Sequence, residues 1–275
     1  LVMDKGVRAH YMAHCYDFYK PDMDSEYPVV DGALSIKCYQ EALDQCYKNY
    51  KKKASALYYN ALTIQNGAAE YFCFHSPFTK LVQKSFGRLL YNDMMATGDH
   101  ANPLYSSLAS FADLAYEKSF GNRELERAYV TATQGLYAKR VEPGLLLPKN
   151  LGNNYTATLY CCLASLLHNI PKDDLLGKRV IMFSYGSGLA ACMFSLTVTR
   201  DADKLTGIKS SLASLTERLN SRTKISPDDF LGLLKSRDKA HNKAPYNPEC
   251  PVADMFPGSY FLESVDEKYR RHYKR

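Results

Sequence analysis

Four apolar or aromatic residues, Tyr71-Phe72-Cys73-Phe74, run into His75, and Ser76-Pro77 follow at once. Serine as N-cap with proline at the first helical position is a strong helix start. Beyond it Phe78, Leu81, Val82, Phe86, Leu89 and Leu90 recur at helical spacing, which gives that helix one buried face. The stretch therefore reads as strand, then His75 at the strand's carboxyl end, then helix. In an α/β layer structure that edge is where ligands bind. On this stretch alone His75 reads equally as a satisfied structural histidine. Lys80 and Lys84 share the helix face beside it and suit either an anionic ligand or solvent.

The 275 residues are enough to bury one large core or two small ones. Thirty-five Lys and Arg against twenty-nine Asp and Glu give a net charge of +6. That mild excess suits a phosphate-bearing ligand, but it is spread rather than striped, so it argues against nucleic acid. The eight cysteines (15, 38, 46, 73, 161, 162, 192 and 250) form no CxxC pair, and several sit in apolar runs. There a free thiol behaves as a small hydrophobe, which points to a reducing compartment. No stretch approaches a membrane span, and no signal or transit segment is read. The opening Leu1-Val2-Met3, without an initiator methionine, reads as the start of a fragment.

Along the chain, residues 1–34 are rich in Pro, Gly and Asp and read as irregular. A helix is expected from Ser35, which would cap it and could also touch a ligand. Residues 96–122 are weakly patterned, and 123–139 look helical. Leu145-Leu146-Leu147, between Pro143-Gly144 and Pro148, reads as a short strand. Gly152-Asn153-Asn154-Tyr155-Thr156 is a polar turn opening a buried helix, in which Asn153 either caps or offers its amide to a substrate oxygen. Val180 to Phe183 is a buried strand ending in Ser184-Tyr185-Gly186-Ser187-Gly188, whose glycines allow close backbone approach. That turn is neither a dinucleotide fingerprint, nor a P-loop, nor a nucleophile elbow. An alternating strand from Met193, a helix capped by Ser226, a proline-bearing loop over 241–258, a last strand at 260–265 and a solvated basic tail complete the reading.

Six pieces, YDFYKPDMDSEYPVVDGALS (16–35), FHSPFTKLVQKS (74–85), LGNNYTATLY (151–160), GKRVIMFSYGSGLAA (177–191), LNSRTKISPDDF (219–230) and VDEKYRRHYKR (265–275), keep order across nearly the whole chain. Together they resemble the carboxyl-terminal half of eukaryotic-type hydroxymethylglutaryl-CoA synthase, within the thiolase superfamily. The resemblance implies an α/β, thiolase-like layered fold, with a mixed sheet packed by helices and residues 1–275 as the C-terminal domain. It implies condensation of acetyl-CoA with acetoacetyl-CoA in the mevalonate or ketone-body route. His75 would be the family's histidine. Ser35, Lys80, Lys84, Asn153 and Ser187 would be substrate or CoA contacts, and Asp17 a supporting residue. No cofactor or metal is expected beyond the CoA thioesters. The implied partners are the amino-terminal half of the same enzyme and a second copy in a homodimer, without nucleic acid or membrane. The implied location is cytoplasmic, or mitochondrial in the alternative.

The family's nucleophilic cysteine and glutamate base belong to the amino-terminal half, and none of the eight cysteines occupies a matching motif. Cys73 shares a strand face with His75 and could imitate a Cys–His pair, a minor reading. This chain alone is therefore expected to bind acyl-CoA weakly and not to condense it. A β-ketoacyl-synthase-like condensing enzyme and a non-catalytic acyl-CoA-binding fragment are the alternatives.

Overall fold

The structure, a computed structural model, describes residues 1–58, 62–99, 101–249 and 251–275. It divides into two units: Leu1–Phe18 with Val30–Ser221, and Tyr19–Val29 with Arg222–Arg275. The short strands β1 (Val2–Met3), β2 (Ala9–Met12), β3 (Phe18–Tyr19) and β4 (Val29–Val30) precede the long helix α1 (Gly32–Tyr58). Strand β5 (Tyr71–Phe74) leads to α2 (Thr79–Thr97), α3 (Arg123–Arg140), α4 (Leu146–Leu151), α5 (Thr158–Asn169) and α6 (Lys172–Leu175). The hairpin β6 (Arg179–Gly186) and β7 (Ala190–Thr197) and the helices α7 (Ala202–Ser211) and α8 (Leu215–Asn220) close the first unit.

Its sheet is mixed. Strand β5 runs parallel to β6, with Phe74 opposite Phe183, and β6 runs antiparallel to β7. The other edge of β7 takes β1 and β2, both antiparallel. Val180, Ile181, Met182 and Phe183 all have no exposed surface. A strand apolar at successive positions must be covered on both faces. On one face Phe183 meets Tyr39 of α1 edge-on at 5.4 Å, and Phe72 meets Phe86 of α2 at 5.2 Å. Cys73 points the other way, toward Gly144, and α5 packs on that side against β5 and β6.

Helices α1 and α2 are joined by buried polar pairs. The Arg88 guanidinium donates to Asp44 through Nε at 2.9 Å and Nη2 at 2.7 Å, and Asn92 and Tyr116 also donate to that carboxylate. One turn further along both helices, Asp93 accepts from Lys51, Tyr47 and the Ile64 amide. Buried charges persist only when their lone pairs are filled in this way.

The second unit carries α9 (Pro227–Ala240), capped by Ser226, whose hydroxyl accepts from the Asp229 amide at 3.1 Å. Arg237 and Asn242 tie it to Glu26 and Met23 of the 19–29 segment. Strands β8 (Phe261–Val265) and β9 (Arg271–Lys274) form its hairpin. The Asp266 carboxylate accepts from the backbone and side chain of Arg270 and from the Lys268 amide, which hold its pKa down at about 2.

Several expectations need correction. Helix α1 begins at Gly32, and Asp31 caps it by accepting from the Leu34 amide at 3.0 Å. Ser35 is thus inside the first turn and is not the cap. Ser76 does not cap α2 either: the N-cap is Phe78, with extended backbone and no side-chain bond. The strand ladder continues through His75, and a residue before proline is held extended, so the helix is delayed. Leu145-Leu146-Leu147 is helical, the end of a 3₁₀ turn over Glu142–Leu145 and the start of α4, because Pro143 sets a helical first turn. The basic tail is solvated, as expected, and within it Arg271–Lys274 forms the exposed strand β9 against β8. Among the described residues seven cysteines are free; Cys250 lies outside them.

Two substitutions test this packing in the complete protein by urea unfolding. A Cβ at Gly87 of α2 would stand 2.4 Å from Cδ2 of Tyr129 and 3.1 Å from its backbone. Gly87→Ala is expected to cost about 1–3 kcal/mol as an overpacking change. Arg88→Met leaves Asp44 buried without its cation and is expected to cost about 3–5 kcal/mol. An unchanged midpoint in either variant contradicts the described helix contacts.

Candidate active site

The carboxyl ends of the parallel pair β5 and β6 bring two motifs together. His75 extends the ladder by one residue, its amide donating to the Phe183 carbonyl at 2.7 Å. From α1, the Tyr39 hydroxyl donates to the His75 carbonyl at 2.7 Å. The backbone of His75 is thereby fixed on both sides. The residue is 9% exposed, and burial lowers its pKa below the ordinary histidine value. The imidazole is held neutral, with one nitrogen a donor and the other an acceptor.

Strand β6 ends in the turn Ser184 to Gly188, which is clasped by Asp17. The Asp17 carboxylate is fully buried and accepts from the Gly188 amide at 3.0 Å and from the Tyr185 hydroxyl at 3.2 Å. Ser187 and Ser35 also donate to it. Burial alone would raise its pKa, but the bonds from Ser187, Gly188, Ser35 and Tyr185 outweigh that and hold it below the usual carboxylate range. Gly188 has φ +114, a conformation that favours glycine.

The third element is the turn between α4 and α5. Gly152, at φ +75, ends α4 with its amide on the Pro148 carbonyl. The Asn153 side-chain oxygen then accepts from the Tyr155 amide at 2.8 Å and from the Thr158 hydroxyl at 3.2 Å. Asn153 therefore shapes the turn rather than capping α5. Tyr155 sits at φ +52, unusual for a residue with a side chain.

These elements surround a cavity of about 840 Å³ whose lining includes Ser35, Tyr39, His75, Asn153 and Ser187. Phe18, Ile36, Phe78, Leu81 and Tyr160 supply apolar wall. A few convergent polar groups in an apolar cleft of this size suit one small molecule. Of the residues singled out in the sequence, His75, Ser35, Asn153 and Ser187 meet here, and Asp17 stands behind the turn. Lys80 and Lys84 are not part of the lining. Lys80 donates to Gln83 on its own helix at 2.7 Å, and Lys84 pairs with Glu126 of α3 at 2.6 Å. Tyr39 and Tyr185 escaped the sequence reading as site residues. Tyr39 lies one turn beyond Ser35, so the helical period already placed both on one face.

None of the described cysteines is in the lining. Cys73 is 2% exposed and burial pushes its thiol well up, as burial pushes Cys162 to about 12. A thiol so placed is inert, which removes the Cys–His pair suggested by the shared strand face.

The lowered pKa of His75 makes stability pH-dependent. In acid the unfolded chain takes up a proton that the folded chain resists, so stability falls as pH drops through the unfolded histidine value and levels off below the folded one. Between about pH 7.5 and 5.5 the wild-type protein is expected to lose up to about 1.4 kcal/mol per pH unit more than His75→Asn. Parallel urea melts of the two proteins check this; identical pH profiles would show that burial does not hold the ring neutral.

A protein-family model described as "Hydroxymethylglutaryl-coenzyme A synthase C terminal" matches residues 1–275. The chain is 44% identical over 283 residues to "Hydroxymethylglutaryl-CoA synthase, cytoplasmic" of Gallus gallus, covering 100% of this chain and 54% of that protein. It is 41% identical over 284 residues to the mitochondrial synthase of Homo sapiens, covering 100% of this chain and 56% of that one. A solved structure described as "MvaS in complex with 3-hydroxy-3-methylglutaryl coenzyme A" superposes with a TM-score of 0.73 at 27% identity, over 99% of this chain and 57% of the other. The α/β, thiolase-like layered fold is shared with it. The chain thus spans about half the length of the curated relatives it matches.

Proposed function

The chain belongs to the hydroxymethylglutaryl-CoA synthase family as its C-terminal part, and we propose that it forms the acetoacetyl-CoA side of a site condensing that thioester with acetyl-CoA. The observation that carries this reading is the convergence of His75, Ser35, Asn153 and Ser187 on one cavity. Carbon–carbon bond formation at a ketone carbonyl places negative charge on its oxygen. A neutral imidazole held by its backbone is a preorganised donor for that charge, because no reorganisation is needed as the charge develops. The Asn153 oxygen is already engaged by its turn, so its amide NH₂ is the group it can offer to a thioester or ketone oxygen. The Asp17 clasp fixes the Ser187 turn at the cavity wall.

Lys80 and Lys84, outside the cavity on α2, are assigned to the CoA phosphates. Lys84 would exchange Glu126 for phosphate. The nucleophilic cysteine and the general base would come from an amino-terminal half, which would also cover the exposed aromatic surface at Tyr155 and Tyr160, 68% and 63% exposed. The same reading takes the protein as a cytoplasmic homodimer serving isoprenoid synthesis; its relatives include both cytoplasmic and mitochondrial synthases.

The test uses the full-length protein. His75→Ala should lower kcat for condensation by about 10²–10³, the effect of removing one oxyanion donor, while acetylation of the enzyme by acetyl-CoA persists. Wild-type turnover in that variant would overturn the reading. Lys80→Ala and Lys84→Ala should each weaken CoA-thioester binding by about 1.5–3 kcal/mol; Lys80→Ala should leave Tm in place, whereas Lys84→Ala should also lower it by removing the partner of Glu126. A drop in Tm with unchanged affinity would assign the lysines to the fold instead.

A further inference from the structure

Cys15 and Cys38 are far apart in sequence but their sulfurs lie 3.4 Å from one another. Cys38 is on α1, three residues after Ser35 and next to Tyr39, and is 6% exposed. Cys15 is half-buried, on the segment between β2 and Asp17. That segment lies along the site turn: the Cys15 amide donates to the Gly188 carbonyl at 2.6 Å, and the Ala13 amide donates to the Leu189 carbonyl at 3.2 Å. Asp17, two residues on, holds the Gly188 amide and the Tyr185 hydroxyl. The thiol pair thus sits directly behind the wall of the cavity.

We infer that Cys15 and Cys38 form a redox modification site, oxidised to a disulfide by a hydroperoxide and reversed by a dithiol reductant. The sulfurs need to close only from contact to a bond of about 2.05 Å. Cys15, the more accessible sulfur, is the one a peroxide reaches. As thiolate it attacks the terminal peroxide oxygen; the O–O bond breaks, and Cys15 becomes the sulfenic acid as hydroxide or an alkoxide leaves and takes up a proton from solvent. The Cys38 sulfur then attacks the Cys15 sulfur, expelling hydroxide, which leaves as water with the Cys38 proton. Each cysteine sulfur loses one electron, and each of the two peroxide oxygens gains one. Burial and the neighbouring Cys15, Asp17 and Glu41 push the Cys38 thiol up to about 12, which suits it as the resolving partner rather than the first to react.

The consequence follows from what each sulfur is attached to. Cys38 is anchored in a helix whose neighbours Tyr39 and Ala42 are buried. The 13–17 segment lies outside any helix or strand, so closing the bond draws it toward α1 and shifts Asp17 against the turn it clasps. Loss of one hydrogen bond to that carboxylate is expected to weaken CoA-thioester binding roughly tenfold. This last step rests on the proposed function; the disulfide does not.

The experiment treats the full-length protein with hydrogen peroxide at a small molar excess, blocks remaining thiols with iodoacetamide and maps peptides without reduction. The expected product is a Cys15–Cys38 cross-linked peptide lacking two hydrogens, absent from Cys15→Ala and Cys38→Ala, with Tm raised in the wild type and restored by dithiothreitol. In Cys38→Ala, Cys15 should instead accumulate as sulfenic acid, trapped by dimedone. Full alkylation of both residues after peroxide, or cross-linking of either to another cysteine, overturns the inference. A cross-link that leaves CoA-thioester affinity unchanged keeps the modification site and rejects its coupling to the cavity.

Discussion

The site rests on the pairing of two parallel strands. Parallel ladders place the carboxyl ends of both strands at one edge, so whatever follows each strand meets there. With Phe74 opposite Phe183, the residues that follow are His75 and the turn Ser184 to Gly188. A register slip by one residue would turn Phe72, Phe74 and His75 to the opposite faces. What opposes that slip is the particular packing of each position, Phe183 on Tyr39 of α1 and Phe72 on Phe86 of α2, with α5 on the other face. The helices that cover the sheet also supply the site, since α1 brings Ser35 and Tyr39 and the turn before α5 brings Asn153.

Within that frame the polar groups divide by depth. The Asp44–Arg88 and Asp93–Lys51 pairs are fully engaged and lock α1 against α2. Asp17 is equally buried, but its partners are the turn glycine, a tyrosine and two serines, so its charge organises the cavity wall rather than the core. His75 has no such charge beside it. Burial is the cause that lowers its pKa, and the ring lies in the lining of an apolar cleft. One carboxylate kept charged and one imidazole kept neutral follow from the same low-dielectric surroundings, because only Asp17 is given donors.

A pattern with a single physical cause is legible in the sequence. Ser226-Pro227 with Asp228 and Asp229 gave a helix start because each residue satisfies or offsets the same exposed amides. The sequence misled where a motif had competing uses. Ser76-Pro77 has the form of a helix start, yet the ladder bond of His75 carries the strand past it. Leu145 to Leu147 has the composition of a strand, yet Pro143 starts a helical turn that runs on into α4. The basic tail is solvated, as its composition implies, but that composition does not tell a free end from an exposed two-stranded hairpin, which buries little.

The sequence by itself determined the strand–histidine–helix unit, the glycine turn at 184–188, the polar turn at Asn153 and the family to which their order belongs. These are local: each is specified by backbone preference, side-chain period or residue type within a few positions. Tertiary structure alone decided that Ser35, Tyr39, His75, Asn153 and Ser187 share one cavity, that Lys84 is paired with Glu126, and that Cys15 lies against Cys38. Those relations depend on strand order and helix packing between residues distant in the chain, and neither is encoded in the spacing of any one segment.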